Sequence, residues 1–131
     1  MSYLVDTNVI AELSRQRPNQ GVLTWAGQVT TVNLSAVSLE EIRFGLAWKA
    51  NARIQAWFER FLVEQCRILP VTDEVARRSG DLRGRLRARG SVRTQADMLI
   101  AATAVAHRLV LVTRNEDDFR DCGVTVLNPF A

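Results

Sequence analysis

Four carboxylates stand where the chain could do metal-assisted chemistry on phosphate: Asp6, Glu41, Asp97 and Asp118. Asp6 closes the short apolar run Tyr3-Leu4-Val5 and precedes Thr7-Asn8-Val9-Ile10. That pattern reads as a buried strand ending in an acid, with a helix starting directly after it. In open α/β sheets, ligands bind in the crevice beyond the carboxyl ends of the strands. Asn8 adds a polar group at the same mouth. Glu41 shares a helix face with Phe44, Gly45 and Trp48, so it borders apolar surface. Gly45 inside that helix costs roughly 1 kcal/mol against Ala, which makes sense if something approaches closely. Asp97 heads a stripe of Ile100, Ala101, Ala104 and Val105. An unpaired carboxylate on a buried stripe costs several kcal/mol unless donors or a cation meet it. Asn115 sits where the Leu109–Thr113 run ends, and Asp118 follows one turn later on the same face.

Each acid also has an ordinary reading. Asp6 suits an N-cap. Ser38-x-x-Glu41 has the spacing of a capping box, and Thr94 with Asp97 has the same spacing. The segment Thr113–Asp118 reads as an acidic helix N-terminus. The conjunction is what argues for function. Every one of these groups follows a strand or lies in the first turn of a helix, and in a parallel sheet such points share one edge. Carboxylates converging there raise one another's pKa, and a divalent cation relieves the conflict. All-oxygen ligation suits Mg²⁺ or Mn²⁺, which can activate water in phosphoryl transfer.

The elements that must position these groups follow from strand–helix alternation. Strands are expected at 3–6, 31–34, 68–71, 109–113 and 124–127, and helices at 8–15, 20–27, 38–49, 51–65, 73–89 and 94–107. This predicts an α/β fold: a mostly parallel central sheet of about five strands, flanked by helices on both faces. Its 131 residues suit one domain with a single core, residues 1–131. Gly90 is placed to end the fifth helix as a C′ glycine. Trp25, Trp48 and Trp57 fit either core positions or a groove for a partner helix.

Composition narrows the class. Hydrophobic residues make up 47% and charged residues 24%, as in a globular chain. No apolar run approaches the ~20 residues of a membrane span, and no signal peptide is legible. Cys66 and Cys122 lack metal-ligand spacing, and free thiols fit a cytoplasmic setting. The single histidine, His107, reads as a helix C-terminal residue, which disfavours His-based nucleophile schemes. No Gly-x-x-x-x-Gly-Lys loop is present, which disfavours ATP hydrolysis. The net charge is only +3, carried by one lysine and sixteen arginines. Seven of these arginines fall between Arg77 and Arg93, alongside a single acid, Asp81. Such a face suits either phosphate contacts or an acidic protein partner, and it is also what a solvated helix looks like.

Taken in order, Asp6-Thr7-Asn8, Glu41-Ile42-Arg43-Phe44-Gly45, Asp97 with Leu99-Ile100-Ala101-Ala102-Thr103-Ala104, and Thr113-Arg114-Asn115 with Asp118-Phe119 resemble a PIN domain. The chain is most similar to the VapC and FitB toxins of type II toxin–antitoxin pairs, over essentially its whole length. The resemblance implies a Mg²⁺- or Mn²⁺-dependent endoribonuclease that cuts RNA, often tRNA or rRNA. It implies a cognate VapB-like antitoxin and a homodimer that assembles with it into a larger complex. Position by position, Asp6, Glu41 and Asp97 match the acidic triad. Asp6 and Asp97 would be direct metal ligands, and Glu41 would orient a water or contribute to the metal site. Some relatives carry Asp at the position of Asn115, whereas this chain has Asn there and an acid three residues on, Asp118. Thr113 would be a polar contact near the site. Arg85, Arg89, Arg93 and Arg114 at the groove rim would hold the RNA backbone.

Two other classes compete. A non-catalytic PIN-like module that binds RNA or protein would keep the fold and use the acids only as caps. A phosphoryl-transfer protein with Asp6 as nucleophile would want a second Asp two residues on, where this chain has Asn8, or a nearby lysine.

Overall fold

A computed structural model describes residues 1–131. The strands are β1 (Tyr3–Val5), β2 (Val32–Ser35), β3 (Cys66–Leu69), β4 (Val110–Val112) and β5 (Val126–Leu127). The helices are α1 (Thr7–Leu13), α2 (Gln20–Ala26), α3 (Ala36–Trp48), α4 (Ala52–Glu64), α5 (Asp73–Ala88) and α6 (Gln95–Ala106), with a 3-10 turn at Glu116–Phe119. All five strands are parallel, in the order β3-β2-β1-β4-β5. The chain builds outward from β1 in one direction, then crosses back to build in the other. The topological switch therefore lies between β1 and β4, where a doubly wound sheet opens its ligand crevice.

Short strands with no polar alternation are what two-sided burial requires. Successive residues of the central strands feed opposite faces. Leu4 and Leu111 pack with Leu86, Met98, Ile100, Ala101 and Ala104 of α5 and α6. Val5 and Val112 pack with Val9, Ile10, Val22, Trp25, Phe58 and Phe61 of α1, α2 and α4. Helix α6 is buried nearly all round, and its alanines let it lie close against the sheet.

Element boundaries move in instructive ways. Strand β3 begins at Cys66 rather than 68, because Cys66 pairs with Val32. Strand β5 shrinks to two residues at the sheet edge. Helix α3 begins at Ala36, with Ser35 as its N-cap accepting from the Val37 N–H. Ser38 is therefore inside the helix and fully buried, so the Ser38–Glu41 capping box does not form. Helix α5 ends as expected. Gly90, at φ 87°, donates to the Arg87 carbonyl, and Ser91 donates to Leu86, the paired bonds of a Schellman end. His107 is the C-terminal cap residue of α6. Both cysteines are free, and no helix is long and apolar enough to cross a membrane.

Two glycines make opposite demands. Gly21 faces the C-terminal segment, where a Cβ would press on the Pro129 carbonyl and come within 2.8 Å of Ala131 N. Gly45 has nothing within 4 Å of where a Cβ would be. Gly21→Ala should cost about 1–3 kcal/mol, whereas Gly45→Ala should stabilise by about 0.5–1 kcal/mol. Urea denaturation of the two variants measures this. Equal shifts would contradict the packing at Gly21.

Candidate active site

The site is assembled at the C-terminal ends of β1 and β4. Asp6 extends β1 by one ladder bond, its N–H donating to the Val112 carbonyl, and then caps α1. Its carboxylate is 5% exposed and fully engaged. Oδ1 accepts from the Thr7 N–H at 2.8 Å, and Oδ2 accepts from Thr113 Oγ1 at 2.7 Å and Asn8 Nδ2 at 3.1 Å. The N-cap reading is thus correct, and the same carboxylate ties the end of β1 to the end of β4. Asn8 also accepts from the Arg114 N–H at 3.1 Å, and Thr113 Oγ1 accepts from the Asn115 N–H at 3.0 Å. Asn8 and Thr113 therefore tie the start of α1 to the loop after β4.

Glu41 is carried to this edge by α3. Its Oε1 accepts from Thr7 Oγ1 at 2.9 Å, and Thr7 Oγ1 lies 2.9 Å from Ser38 Oγ. A hydroxyl has one proton, so donation to Glu41 leaves Ser38 as the donor in the second bond. Sequence reasoning missed this Thr7–Ser38 relay. The available signal was Ser38 itself, a serine on a helix face that turns out to be wholly buried.

Asp97 lies in the first turn of α6, half-buried, with Thr94 Oγ1 accepting from its N–H at 3.1 Å. No bond returns from its carboxylate to the Thr94 N–H, so the reciprocal capping box is not made and the carboxylate remains available. Asp118 sits in the exposed 3-10 turn close enough to Asp97 for the two charges to repel. Asn115 heads that turn, and its side chain makes no capping bond.

Electrostatics link these acids pairwise. Burial pushes the Asp6 carboxyl up, hydrogen bonds from Thr113 and Thr7 pull it back, and the charges of Asp97 and Glu41 push it further up. Burial likewise raises Asp97; the Thr94 hydroxyl opposes this, Asp118 adds to it and Arg93 opposes it. All five ion pairs of the molecule lie elsewhere, between Arg15 and Glu12, Arg43 and Glu59, Arg77 and Asp73, Arg78 and Glu74, and Arg120 and Asp117. No three of the acids converge into a ready-made cage. Hard oxygen donors spread in this way suit an ion that uses one or two carboxylates and completes its shell with water.

The arginines separate into different roles. Arg77 and Arg78 pair with acids one turn back, which thins the expected cationic stripe. Arg85 and Arg89 are exposed in and just after the last turn of α5, where cations also complement the helix dipole. Arg85 lines a hollow of about 230 Å³ with Ala102 and Cys122, on the flank of the molecule. Arg114 stands over the Phe130 ring at 4.9 Å, beside the mouth. Arg93 does not fit the expectation of a phosphate contact, because its guanidinium is turned inward onto protein carbonyls. A planar fork satisfied by the chain has few donors left for a ligand.

A groove of about 420 Å³ runs between α1, α3 and α4, lined by Ile10, Ile42, Gly45, Leu46, Ile54 and Trp57, with Glu41 at its rim. Phe44 and Trp48 beside it are 61% and 73% exposed. Trp25 is a core residue, packed edge-on against Tyr3.

Comparison with known proteins agrees with this geometry. The PIN domain model matches residues 3–124. The chain is 36% identical to VapC ribonuclease Y4jK of Sinorhizobium fredii, over 97% of this chain and 96% of the relative. It is 34% identical to toxin FitB of Neisseria gonorrhoeae, over 97% of both chains. The crystal structure of FitAcB from Neisseria gonorrhoeae superposes with a TM-score of 0.83, covering 97% of each chain. The structure of FitAB bound to an IR36 DNA fragment gives 0.84, covering 98% of this chain and 96% of that one. The chain belongs to the PIN domain family.

The raised carboxyls have a measurable consequence. Between the ordinary value of 3.8 and the raised folded values, the folded state binds more protons than the unfolded chain, so metal-free stability should fall as pH rises through that window. Asp97→Asn should flatten the decline. Mn²⁺ should raise the melting temperature of the wild type, by the equivalent of about 2.7 kcal/mol at a hundredfold excess over Kd, and leave Asp97→Asn nearly unmoved. Scanning calorimetry against pH and Mn²⁺ tests both, and an undiminished Mn²⁺ shift in the variant would remove Asp97 from the ligand set.

Proposed function

We propose that this chain is the toxin of a type II toxin–antitoxin pair, an endoribonuclease dependent on Mg²⁺ or Mn²⁺ that cuts tRNA or rRNA in the cytoplasm. One observation carries the reading. Asp6, buried at the β1/β4 switch point, feels the charges of Asp97 and Glu41, Asp97 feels Asp118, and none of the four is in an ion pair, in a PIN-domain chain whose full-length relatives include VapC ribonuclease Y4jK.

Asp6 and Asp97 would hold the ion, with Glu41 and Asp118 on either side. The bound cation would supply positive charge against the scissile phosphate and acidify a water. The chain does the rest. Thr7, Asn8 and Thr113 lock the Asp6 carboxylate in one orientation. Thr7 Oγ1 steadies the exposed Glu41, which would orient the attacking water. Arg114, Arg85 and Arg89 would neutralise flanking phosphates, each a salt-dependent contact. A non-catalytic module has no need of four unpaired acids at one edge. An Asp6 nucleophile would want a second Asp two residues on, where Asn8 instead bonds Asp6 Oδ2, and Lys49, at the far end of α3 from Glu41, is no partner for it.

The apolar groove would seat a helix of the cognate antitoxin, as amphipathic helices fill such grooves elsewhere, and the toxin would act as a homodimer within a larger complex. Gly45→Gln, which places a side chain in the groove, should weaken antitoxin binding at least about tenfold, or 1.4 kcal/mol, without reducing RNA cleavage. Titration calorimetry with the antitoxin product of the neighbouring gene tests it, and unchanged affinity would move the antitoxin off this groove.

Cleavage decides the main reading. With Mn²⁺ and total RNA, the wild type should produce discrete new 5′ ends, and Asp97→Asn should cut at least about a hundredfold more slowly. Equal rates in the two proteins would refute the metal-nuclease assignment.

A further inference from the structure

The loop that follows β4 carries Asp118, yet Asp118 itself is exposed and makes no side-chain bond that would hold it. Its position is imposed from both sides. Phe119 and Cys122 are buried in the core at 2% and 6% exposure. Between them runs backbone whose carbonyls have no helix or strand to satisfy them, and Asp121 adopts a left-handed conformation at φ 64°. Arg93 meets this backbone. Its Nη1 donates to the Asp118 carbonyl at 2.8 Å and lies 3.6 Å from Cys122 Sγ, its Nη2 donates to the Arg120 carbonyl at 2.9 Å, and its Nε donates to Ser91 Oγ at 2.9 Å.

Arg93 sits four residues before Asp97, at the mouth of α6. One planar group therefore clamps the acid-bearing loop to the base of the helix that carries the other acid. Lysine lacks the fork needed to reach two carbonyls at fixed angles.

We propose that Arg93 is a positioning residue for RNA cleavage: its guanidinium, by holding the carbonyls of Asp118 and Arg120, fixes the Asp118 carboxylate opposite Asp97. This rests on the metal-nuclease reading. Groups that orient a metal site through another residue typically change affinity or rate by 10–100-fold when altered.

The test compares the wild type, Arg93→Lys, Arg93→Gln, Asp118→Asn and the double variant Arg93→Lys/Asp118→Asn, all as the full chain. Circular dichroism should show each folded. Arg93→Lys should lower kcat about tenfold or more with KM for RNA little changed, and weaken calorimetric Mn²⁺ binding severalfold. The double variant should be no worse than Asp118→Asn alone, because both changes remove the same interaction. A phosphate-binding role would instead raise KM and leave Mn²⁺ binding intact. That result, additive losses in the double variant, or unfolding of both Arg93 variants would overturn the proposal. A wild type that cuts no RNA would refute the nuclease reading, while Mn²⁺ calorimetry would still decide whether Arg93 acts through Asp118.

Discussion

A buried carboxylate with three donors and no arginine or lysine paired to it is the constraint around which the site is built. Asp6 cannot be moved without loosening three elements at once. Its backbone continues the β1 ladder to β4, its Oδ1 starts α1, and its Oδ2 reaches Thr113 at the end of β4. The hydrogen bonds favour the charged form, and burial and neighbouring acids oppose it. The net effect is a carboxyl pushed above the usual carboxylate range yet held in one orientation.

The contrast with the rest of the surface makes the point. Helix α5 opens with Asp73 and Glu74, each paired with an arginine one turn later. Such exposed pairs contribute little individually, but they show that this chain readily matches acid with arginine where only stability is at stake. At the β1/β4 mouth it does not. Arg93, whose charge Asp97 feels, spends its donors on backbone carbonyls and reaches Asp97 only through space. The same residue type thus neutralises on one face and organises on another.

Much of this was legible in the residues. Leu4-Val5 and Leu111-Val112 read as two-sided strands because successive side chains feed both cores, and Ala101 and Ala104 marked α6 as a helix that packs close. The Asp97 stripe was correctly read as buried. What could not be read were the places where local chemistry had two equal solutions. Ser35 and Ser38 are both plausible N-caps for α3, and only the pairing of β2 with β3 decides where the strand ends and the helix begins. Arg93 was indistinguishable from its neighbours along α5, because its role depends on carbonyls 25 and 27 residues away. Long-range satisfaction of backbone groups leaves no periodic trace in sequence.

Helix α3 joins two surfaces of the molecule. Its first half presents Ser38 and Glu41 to Thr7 at the sheet edge. Its second half carries Gly45 and Leu46 along the apolar groove, flanked by exposed Phe44 and Trp48. Glu41 belongs to both, since it lines the groove while its carboxylate is tethered at the site. Any occupant of the groove therefore lies against the Glu41 side of the acidic cluster, and a basic group on that occupant meets uncompensated carboxylates. The groove and the acidic cluster are thereby joined through one helix.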